Sequence, residues 1–394
     1  MNIQINPRAQ SLKIPGTRQF SNQLVNYPDA VNLTIGQPDF PTPTSVKEAG
    51  IRAIEQNLTG YSHNAGLLEL RNAVNSFFFD KYGFSYDLQS EIIITNGASE
   101  AIDAVFRTIL VEGDEVILPA PTYSGYVPVI ELCGAKVVYL DTTDTNFQPS
   151  AERLANLINE RTKAVFFNNP SNPTGVVLTK ETMDELVGVI KEKNLFVLTD
   201  EIYSENTFSG KHHSFASYEE IREKLFYIHG VSKSHSMTGW RIGFLMGPAN
   251  VMEHVVKVHA FNTICASLPA QYAAMEALTK AKDTPSEMNL EYVKRRDFVF
   301  SRLTEMGLTV EKPNGAFYIF PDIRKYGMNS FEFATKLLQE GGVAVVPGSA
   351  FTAYGEGFIR ISYAYNMAVL EKGLNRLEEF LLTLSSSKFS SIKV

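Results

Sequence analysis

A lysine and an arginine stand eight positions apart in the stretch GVSKSHSMTGWRIGF, residues 230–244. The apolar run LFYIHG (225–230) is typical of a buried strand, so we expect Lys233 just beyond the strand's end. A lysine in a partly dry pocket has a lowered pKa and becomes a nucleophile or a base. Arg241 follows the turn that Gly239 allows, and from there it could contact an anion beside the lysine.

Two more apolar runs end in groups that could share this chemistry, because ligands of open α/β sheets bind beyond the carboxyl ends of the strands. LFVLTDE (195–201) ends in Asp200, and a carboxylate there is costly to desolvate unless a cation or strong donor faces it. Taken alone, Asp200 is more typical of a helix N-cap or an internal salt bridge than of a functional site. EIIITNG (91–97) leads into a helix whose first turn, with Ala98 and Ser99, offers free N–H groups to a phosphate.

The stretch KAVFFNNPSNPTG (163–175) ends another buried strand. Its two Asn-Pro steps favour an extended, rigid turn. This turn points Asn168, Asn169 or Asn172 into the same crevice.

A nucleophilic lysine, a phosphate seat and a strand-end aspartate are the groups that pyridoxal 5′-phosphate requires. Lys233 would bond to the cofactor, Asp200 would keep the pyridine nitrogen protonated, and Arg241 would pair with the phosphate. Other phosphate cofactors fit less well, because the chain lacks a GxGxxG after a first strand and a GxxxxGK[ST] motif.

The elements that must position these residues follow an alternating pattern. From about residue 91, short apolar runs alternate with helix-period segments, as in a mainly parallel α/β sheet. Near residue 280 the pattern changes to one long charged helix and a smaller α+β tail. Seven runs are predicted to be strands buried on both faces: 91–97, 114–119, 135–141, 163–170, 195–201, 225–230 and 241–247. We therefore predict three parts: an N-terminal arm with part of the small domain (1–45), a large cofactor-binding domain (46–282) and a small C-terminal domain (283–394).

Composition excludes several classes of function. With 36 basic and 43 acidic residues the net charge is −7, and no basic stripe could follow a nucleic acid backbone. The N-terminus lacks an apolar signal region and no run approaches a membrane span, so we expect a cytoplasmic protein without a membrane partner. Cys133 and Cys265 lie far apart without metal-ligand neighbours, which argues against a disulfide framework and a metal site.

At this point the chain resembles the class I/II aminotransferases of the aspartate aminotransferase fold, subgroup gamma, over essentially its whole length. The resemblance implies a fold type I pyridoxal-phosphate transferase, with a large domain around a mainly parallel seven-stranded sheet and a smaller α+β domain. It rests on eight motifs in the order of the family: TIGQPDF (34–40), GYSHNAGLLELR (60–71), TNGASEA (95–101), PTYSGY (121–126), NNPSNPTG (168–175), DEIY (200–203), SKSHSMTGWRIG (232–243) and FIRISYA (358–364).

The resemblance also implies a role for each matching residue. Lys233 would carry the cofactor and later move the proton between substrate and cofactor, and Arg360 would clamp the substrate α-carboxylate with both arms of its fork. The other implied contacts are Asp200 to the pyridine nitrogen, Asn172 and Tyr203 to the phenolic oxygen, Tyr123 to the ring face, Gly36 to the substrate, and Ala98, Ser99, Arg241 and Tyr61 of the partner subunit to the phosphate. A contact from the partner subunit makes a homodimer the active unit.

One position departs from the family pattern. Many relatives have a phosphate-binding serine three residues before the lysine, where this chain has Gly230. Either the hydroxyl of Ser232 or a backbone N–H would have to replace that contact.

The predicted reaction is a ping-pong transfer of an amino group between an L-amino acid and a 2-oxo acid, with glutamate and 2-oxoglutarate as the common pair. The chain looks especially similar to family members of lysine biosynthesis that act on N-acetyl-L,L-diaminopimelate, with aspartate or aromatic substrates as alternatives. Lys13 and Arg18 in the N-terminal arm are candidate side-chain contacts or plain surface charges. One alternative is a cysteine-conjugate β-lyase, which would share the same site. Another is a non-catalytic cofactor-binding regulator, for which we expect a DNA-binding helix-turn-helix that is not recognisable before residue 30.

Overall fold

The computed structural model describes the backbone of residues 4–12 and 16–390, with side chains except those of 17–19, 21 and 385–390. Lys13 and the side chain of Arg18, named above as candidate contacts, lie outside this description. None of the helices within these ranges is long and apolar enough to cross a membrane. The strands are β1 Val31–Asn32, β2 Ile92–Thr95, β3 Glu115–Ala120, β4 Lys136–Asp141, β5 Thr162–Asn168, β6 Phe196–Asp200, β7 Leu225–Gly230, β8 Gly243–Met246, β9 Tyr318–Ile319, β10 Val343–Ala344, β11 Val346–Pro347 and β12 Ile359–Ser362.

The helices connect and cover these strands. They are α1 Pro7–Ser11, α2 Gly16–Gln23, α3 Thr44–Glu55, α4 Leu68–Tyr82, α5 Ala98–Ile109, α6 Tyr126–Leu132, α7 Ala151–Leu157, α8 Lys180–Ile190, α9 Ala249–Thr263, α10 Leu268–Thr279, α11 Thr284–Glu305, α12 Ser330–Gly341 and α13 Met367–Ser390. The long charged helix predicted after about residue 280 is α11.

The predicted seven-stranded sheet is confirmed, with the strand order β2-β8-β7-β6-β5-β3-β4. Most neighbours are parallel, while β8 is antiparallel to both β2 and β7. Apolar residues on both faces form two cores, one under α4, α8 and α10 and the other under α5, α6 and α9. The prediction that all seven strands are buried on both faces is wrong for β4, because this edge strand pairs on one side and exposes Lys136.

This topology brings the predicted chemistry to one edge of the sheet. The strands β5, β6 and β7 are parallel, so their carboxyl ends coincide. β8 runs the opposite way and therefore begins at the same edge, where Gly230 of β7 faces Gly243 of β8. β2 ends there too, with Thr95 opposite Gly243, and α5 starts three residues later.

A separate core is built from both ends of the chain. β1 pairs in parallel with β10, while β9, β12 and β11 form a three-stranded antiparallel sheet. α11, α12 and α13 contribute to this core, which includes Tyr292, Phe333 and Leu374. The predicted boundaries at residues 45/46 and 282/283 stay predictions.

Candidate active site

A cavity of about 330 Å³ opens at the edge where these strands end. Of the residues to which the family resemblance assigns a contact, all but Tyr61 line it. Residues from five strand ends and from both ends of the chain meet here: Thr34, Gly36, Ala98, Ser99, Tyr123, Tyr126, Asn168, Asn172, Asp200, Ile202, Tyr203, Ser232, Lys233, Thr238, Arg241, Tyr318 and Arg360.

Lys233 lies in the loop after β7 with its ammonium group directed across the cavity. Its Nζ donates a hydrogen bond to the carbonyl oxygen of Gly36 at 2.7 Å. Burial, reinforced by the positive charge of Arg360, lowers the pKa of Lys233 to about 8. An amine with that pKa is partly deprotonated near neutral pH, as a nucleophile or a general base requires.

Asp200 ends β6 and is buried, so its carboxylate needs partners. Burial raises the pKa of Asp200 to about 6, against the effect of two hydrogen bonds and the charge of Lys233. The donors are the hydroxyl of Tyr126 at 2.7 Å and the amide of Ile202 at 3.1 Å. No ion pair within 4 Å joins Asp200 to another described residue, so the salt-bridge alternative from the sequence does not hold here.

The first turn of α5 and Arg241 form one rim of the cavity. Arg241 donates to the carbonyl oxygens of Thr238 at 2.9 Å and Asn96 at 3.3 Å. Gly97, at φ +82°, precedes α5, and a Cβ there would lie 2.3 Å from the Arg241 guanidinium. A Cβ on Gly243 would lie 2.6 Å from the amide of Ala98. Two glycines therefore let a guanidinium and a helix N-terminus approach the same point.

Gly239 lies in the turn before Arg241, as predicted, but this turn does not require a glycine. Gly239 lies in a 3₁₀ turn, Thr238–Trp240, and a Cβ on it would meet open space. Arg241 itself adopts the left-handed conformation, with φ +57° and ψ +53°. A non-glycine residue in that region is strained, which is typical of functional sites.

Arg360, in β12, is buried on the opposite side of the cavity. It donates to the Asn172 side-chain oxygen at 2.9 Å and to the carbonyl of Thr34. Its Nε has no hydrogen-bond partner among the described residues. The guanidinium lies 4.3 Å from the centre of the Tyr318 ring, which supports the charge through its π face. A buried guanidinium in a cavity wall, paired here with neutral acceptors, favours an anionic ligand.

Two tyrosines that the sequence analysis missed hold the predicted residues in place. Tyr126 bonds Asp200, and its ring meets that of Tyr123 edge-on at 5.2 Å. Tyr318 shares a hydrogen bond of 2.8 Å with the hydroxyl of Tyr203. Tyr126 lies three residues after Tyr123 in PTYSGY, so only its position in the first turn of α6 could have suggested it.

The three candidate asparagines have different environments. Asn168 and Asn172 line the cavity, and the Asn168 side-chain oxygen accepts from the Asn172 amide at 2.8 Å. Asn169 points away and accepts from the amide of Leu178 at 3.0 Å.

Position 230 has no room for the serine found in many relatives. A Cβ on Gly230 would lie 2.7 Å from the carbonyl oxygen of Ile242 in the neighbouring strand. Ser232 is buried in the cavity wall, where its hydroxyl could serve instead. Tyr61 lies outside the cavity with 80% of its surface exposed, a position compatible with its predicted role in a second subunit.

The donor set fits pyridoxal phosphate. One rim offers helix amides and a guanidinium, which two glycines allow to approach closely, as a phosphate needs. A buried carboxylate, a lysine of lowered pKa and the guanidinium of Arg360 line the same cavity.

Comparison with known proteins agrees with this geometry. The family model for aminotransferase class I and II matches residues 28–377. A probable N-acetyl-LL-diaminopimelate aminotransferase of Bacillus subtilis (strain 168) is 52% identical over 378 residues, covering 96% of each chain. The aromatic-amino-acid aminotransferase 2 of Thermococcus litoralis is 41% identical, with 89% of this chain and 91% of the relative covered. The structure of aspartate aminotransferase from Thermus thermophilus with maleate superposes with a TM-score of 0.91 at 35% identity, covering 96% of this chain and all of that one.

The chain therefore belongs to the class I and II aminotransferases. Its fold is that of aspartate aminotransferase, fold type I of the pyridoxal-phosphate enzymes. It is an aminotransferase, and enzymes of this family depend on pyridoxal phosphate.

Proposed function

We propose that this enzyme holds pyridoxal phosphate on Lys233 and transfers amino groups between an L-amino acid and a 2-oxo acid. The observation that carries the proposal is the meeting of Lys233, Asp200, Arg241 and Arg360 around one cavity. Bound there, the cofactor supplies an electron sink for the carbanion left when the substrate Cα loses its proton. Everything else in the reaction depends on the residues of the cavity wall.

Lys233 acts as the proton carrier. With a pKa of about 8, its amine both accepts a proton from the substrate Cα and returns one at moderate driving force. The carbonyl of Gly36, at 2.7 Å from Nζ, holds the ammonium group when the lysine is free.

Asp200 sets the charge at the far end of the cofactor site. Its carboxylate stays ionised through the hydrogen bond from Tyr126 and can pair with a protonated ring nitrogen. Tyr203 and Asn172 offer donors to the phenolic oxygen, and Tyr318 fixes the Tyr203 hydroxyl. Tyr123 covers one face of the ring.

Arg360 binds the α-carboxylate. Its guanidinium lines the cavity and is held by the Asn172 side chain, by the Thr34 carbonyl and by the Tyr318 ring. A planar fork held in one orientation fixes the substrate Cα relative to Lys233.

For the substrate we propose N-acetyl-L,L-diaminopimelate with its 2-oxo acid, and glutamate with 2-oxoglutarate as the common pair. The support is the relative of that name, which is 52% identical, above the 41% of the aromatic enzyme. We also propose a cytoplasmic homodimer in which Tyr61 of the partner subunit contacts the phosphate, because this tyrosine is 80% exposed in the single chain.

The test is an absorbance spectrum of the purified, cofactor-supplied protein before and after L-glutamate, followed by separate 2-oxo acids. We expect glutamate to convert the bound cofactor to its amine form, and the 2-oxo acid of N-acetyl-L,L-diaminopimelate to restore the original spectrum. If glutamate converts the cofactor and only aspartate-type or aromatic 2-oxo acids restore the spectrum, the protein is still an aminotransferase. Its substrate is then not the one proposed. A spectrum that glutamate leaves unchanged, with pyruvate released from a cysteine conjugate, would indicate a lyase.

A further inference from the structure

The first turn of α5 carries a carboxylate beside the proposed phosphate seat. Glu100 accepts a hydrogen bond from the amide of Asn96 at 2.8 Å, and the carbonyl of Asn96 in turn accepts from Arg241. Glu100 thus fixes the turn that positions the free amides of Ala98 and Ser99. A negative charge so close to these amides would also repel a phosphate dianion, unless it is neutralised.

His259 of α9 provides that neutralisation. It is fully buried, and its Nδ1 lies 2.6 Å from one carboxylate oxygen of Glu100. Its Nε2 lies 2.9 Å from the carbonyl oxygen of Asn64. A carbonyl only accepts, so Nε2 carries a proton, and a second proton lies between Nδ1 and the carboxylate. Whichever atom holds that second proton, the pair of His259 and Glu100 has no net charge.

The same histidine reaches the loop that carries Tyr61. Asn64 lies three residues after Tyr61 and donates to the carbonyl of Ile264 at 2.7 Å. The carbonyl of Ala65 accepts from the amide of Ile94 in β2 at 3.0 Å. His259 therefore joins the turn at the phosphate seat to the loop whose tyrosine is predicted to contact the partner subunit's phosphate.

We propose that His259 is a positioning residue for the cofactor phosphate. It cancels the charge of Glu100 in the first turn of α5 and fixes that turn to the loop around Asn64. The inference rests on the proposed function, because it assumes that a phosphate group binds at Ala98, Ser99 and Arg241.

The test compares the affinity of the apoprotein for pyridoxal phosphate with its affinity for pyridoxal, which lacks the phosphate. Both are measured by equilibrium titration, without turnover. His259→Gln keeps a donor but removes the shared second proton and leaves the charge of Glu100 uncompensated, so we expect at least about a tenfold loss for pyridoxal phosphate and about a twofold change or less for pyridoxal. In Glu100→Gln/His259→Gln, with both charges removed, most of the loss should be recovered.

His254→Gln serves as the matched control, because His254 lies on the same helix with its side chain 56% exposed. A general folding defect in the His259 variant would weaken both ligands, and the ratio of the two affinities separates this effect from loss of phosphate binding. Wild-type affinity in His259→Gln, or a double variant as weak as the single one, would overturn the proposal. Failure of the wild-type protein to bind pyridoxal phosphate would overturn the proposed function itself.

Discussion

Removal of the hydrogen bond from Tyr126 to Asp200 should raise the pKa of Asp200 by an amount that can be worked out from the structure. The bond, 2.7 Å long and buried, lowers the pKa of a carboxyl group that burial has raised to about 6. Tyr126→Phe removes the donor oxygen and keeps the ring that packs against Tyr123 and Phe166. Of the two donors to Asp200, only the amide of Ile202 would then remain, and the charged form of Asp200 would be less stable.

The size of the effect follows from the strength of such bonds. A hydrogen bond to a charged group contributes about 1.5–3 kcal/mol, and about 1.4 kcal/mol corresponds to one pKa unit. The pKa of Asp200 should therefore rise by about 1–2 units, from about 6 towards about 7–8. At pH 7 the ionised fraction would fall from about nine-tenths to between about one half and one tenth. Cofactor binding places a protonated ring nitrogen beside Asp200 and lowers its pKa in both proteins. The rate at pH 7 should therefore fall by at most this factor.

The assay is the pH dependence of the reaction with glutamate, followed through the absorbance change of the bound cofactor. In Tyr126→Phe the acid limb of the profile should move to higher pH by about 1–2 units, with near-normal rates above it. Tyr86→Phe is the matched control, because that buried hydroxyl has no partner among the described residues. An acid limb that stays in place, or moves to lower pH, would refute the account of Asp200.

Three further substitutions test other parts of the site. Lys233→Ala should bind cofactor without covalent attachment and lose at least about 100-fold in turnover, and a near-normal rate would contradict its role. Arg360→Lys should raise KM for amino acids at least about tenfold in steady-state assays and leave cofactor affinity unchanged, because a point charge does not reproduce the fork. Gly97→Ala should weaken pyridoxal phosphate at least about tenfold in a titration, since its Cβ would displace Arg241. Gly83→Ala, at a similar φ of +80° in open space, is its control and should change stability only.

Strand ends were predictable from the sequence because each apolar run stops at a polar residue. The runs before Asp200, Asn168 and Lys233 are buried on both faces, so their composition marks the strands and their last residues mark the edge of the sheet. Parallel strands then bring these ends together without any further information. The seven-stranded sheet was predicted correctly for this reason, including its edge strand β4. The burial of β4 on both faces was predicted wrongly, because its apolar run is nearly as long as that of a central strand although one flank of β4 is exposed.

Contacts that depend on side-chain direction were not predictable. Tyr126 and Tyr318 reach Asp200 and Tyr203 from α6 and β9, elements separated from them by 74 and 115 residues of chain. No local pattern distinguishes such a tyrosine from one that only fills the core. His259 is a similar case, since its helix spacing is compatible with packing and its partners Glu100 and Asn64 lie 159 and 195 residues away.

The spacing of Lys233 and Arg241 has a structural explanation in the pairing of β7 with β8. These strands are antiparallel and Gly230 faces Gly243, so the chain between them leaves the sheet and returns at the same edge. Lys233 stands three residues after the first glycine and Arg241 two before the second, which places both over the carboxyl ends of β5 and β6. The glycines are required by the close pairing, because a Cβ on Gly230 would meet the Ile242 carbonyl and one on Gly243 the start of α5. An inserted residue in this loop would therefore separate the lysine from the phosphate seat, even with both side chains retained.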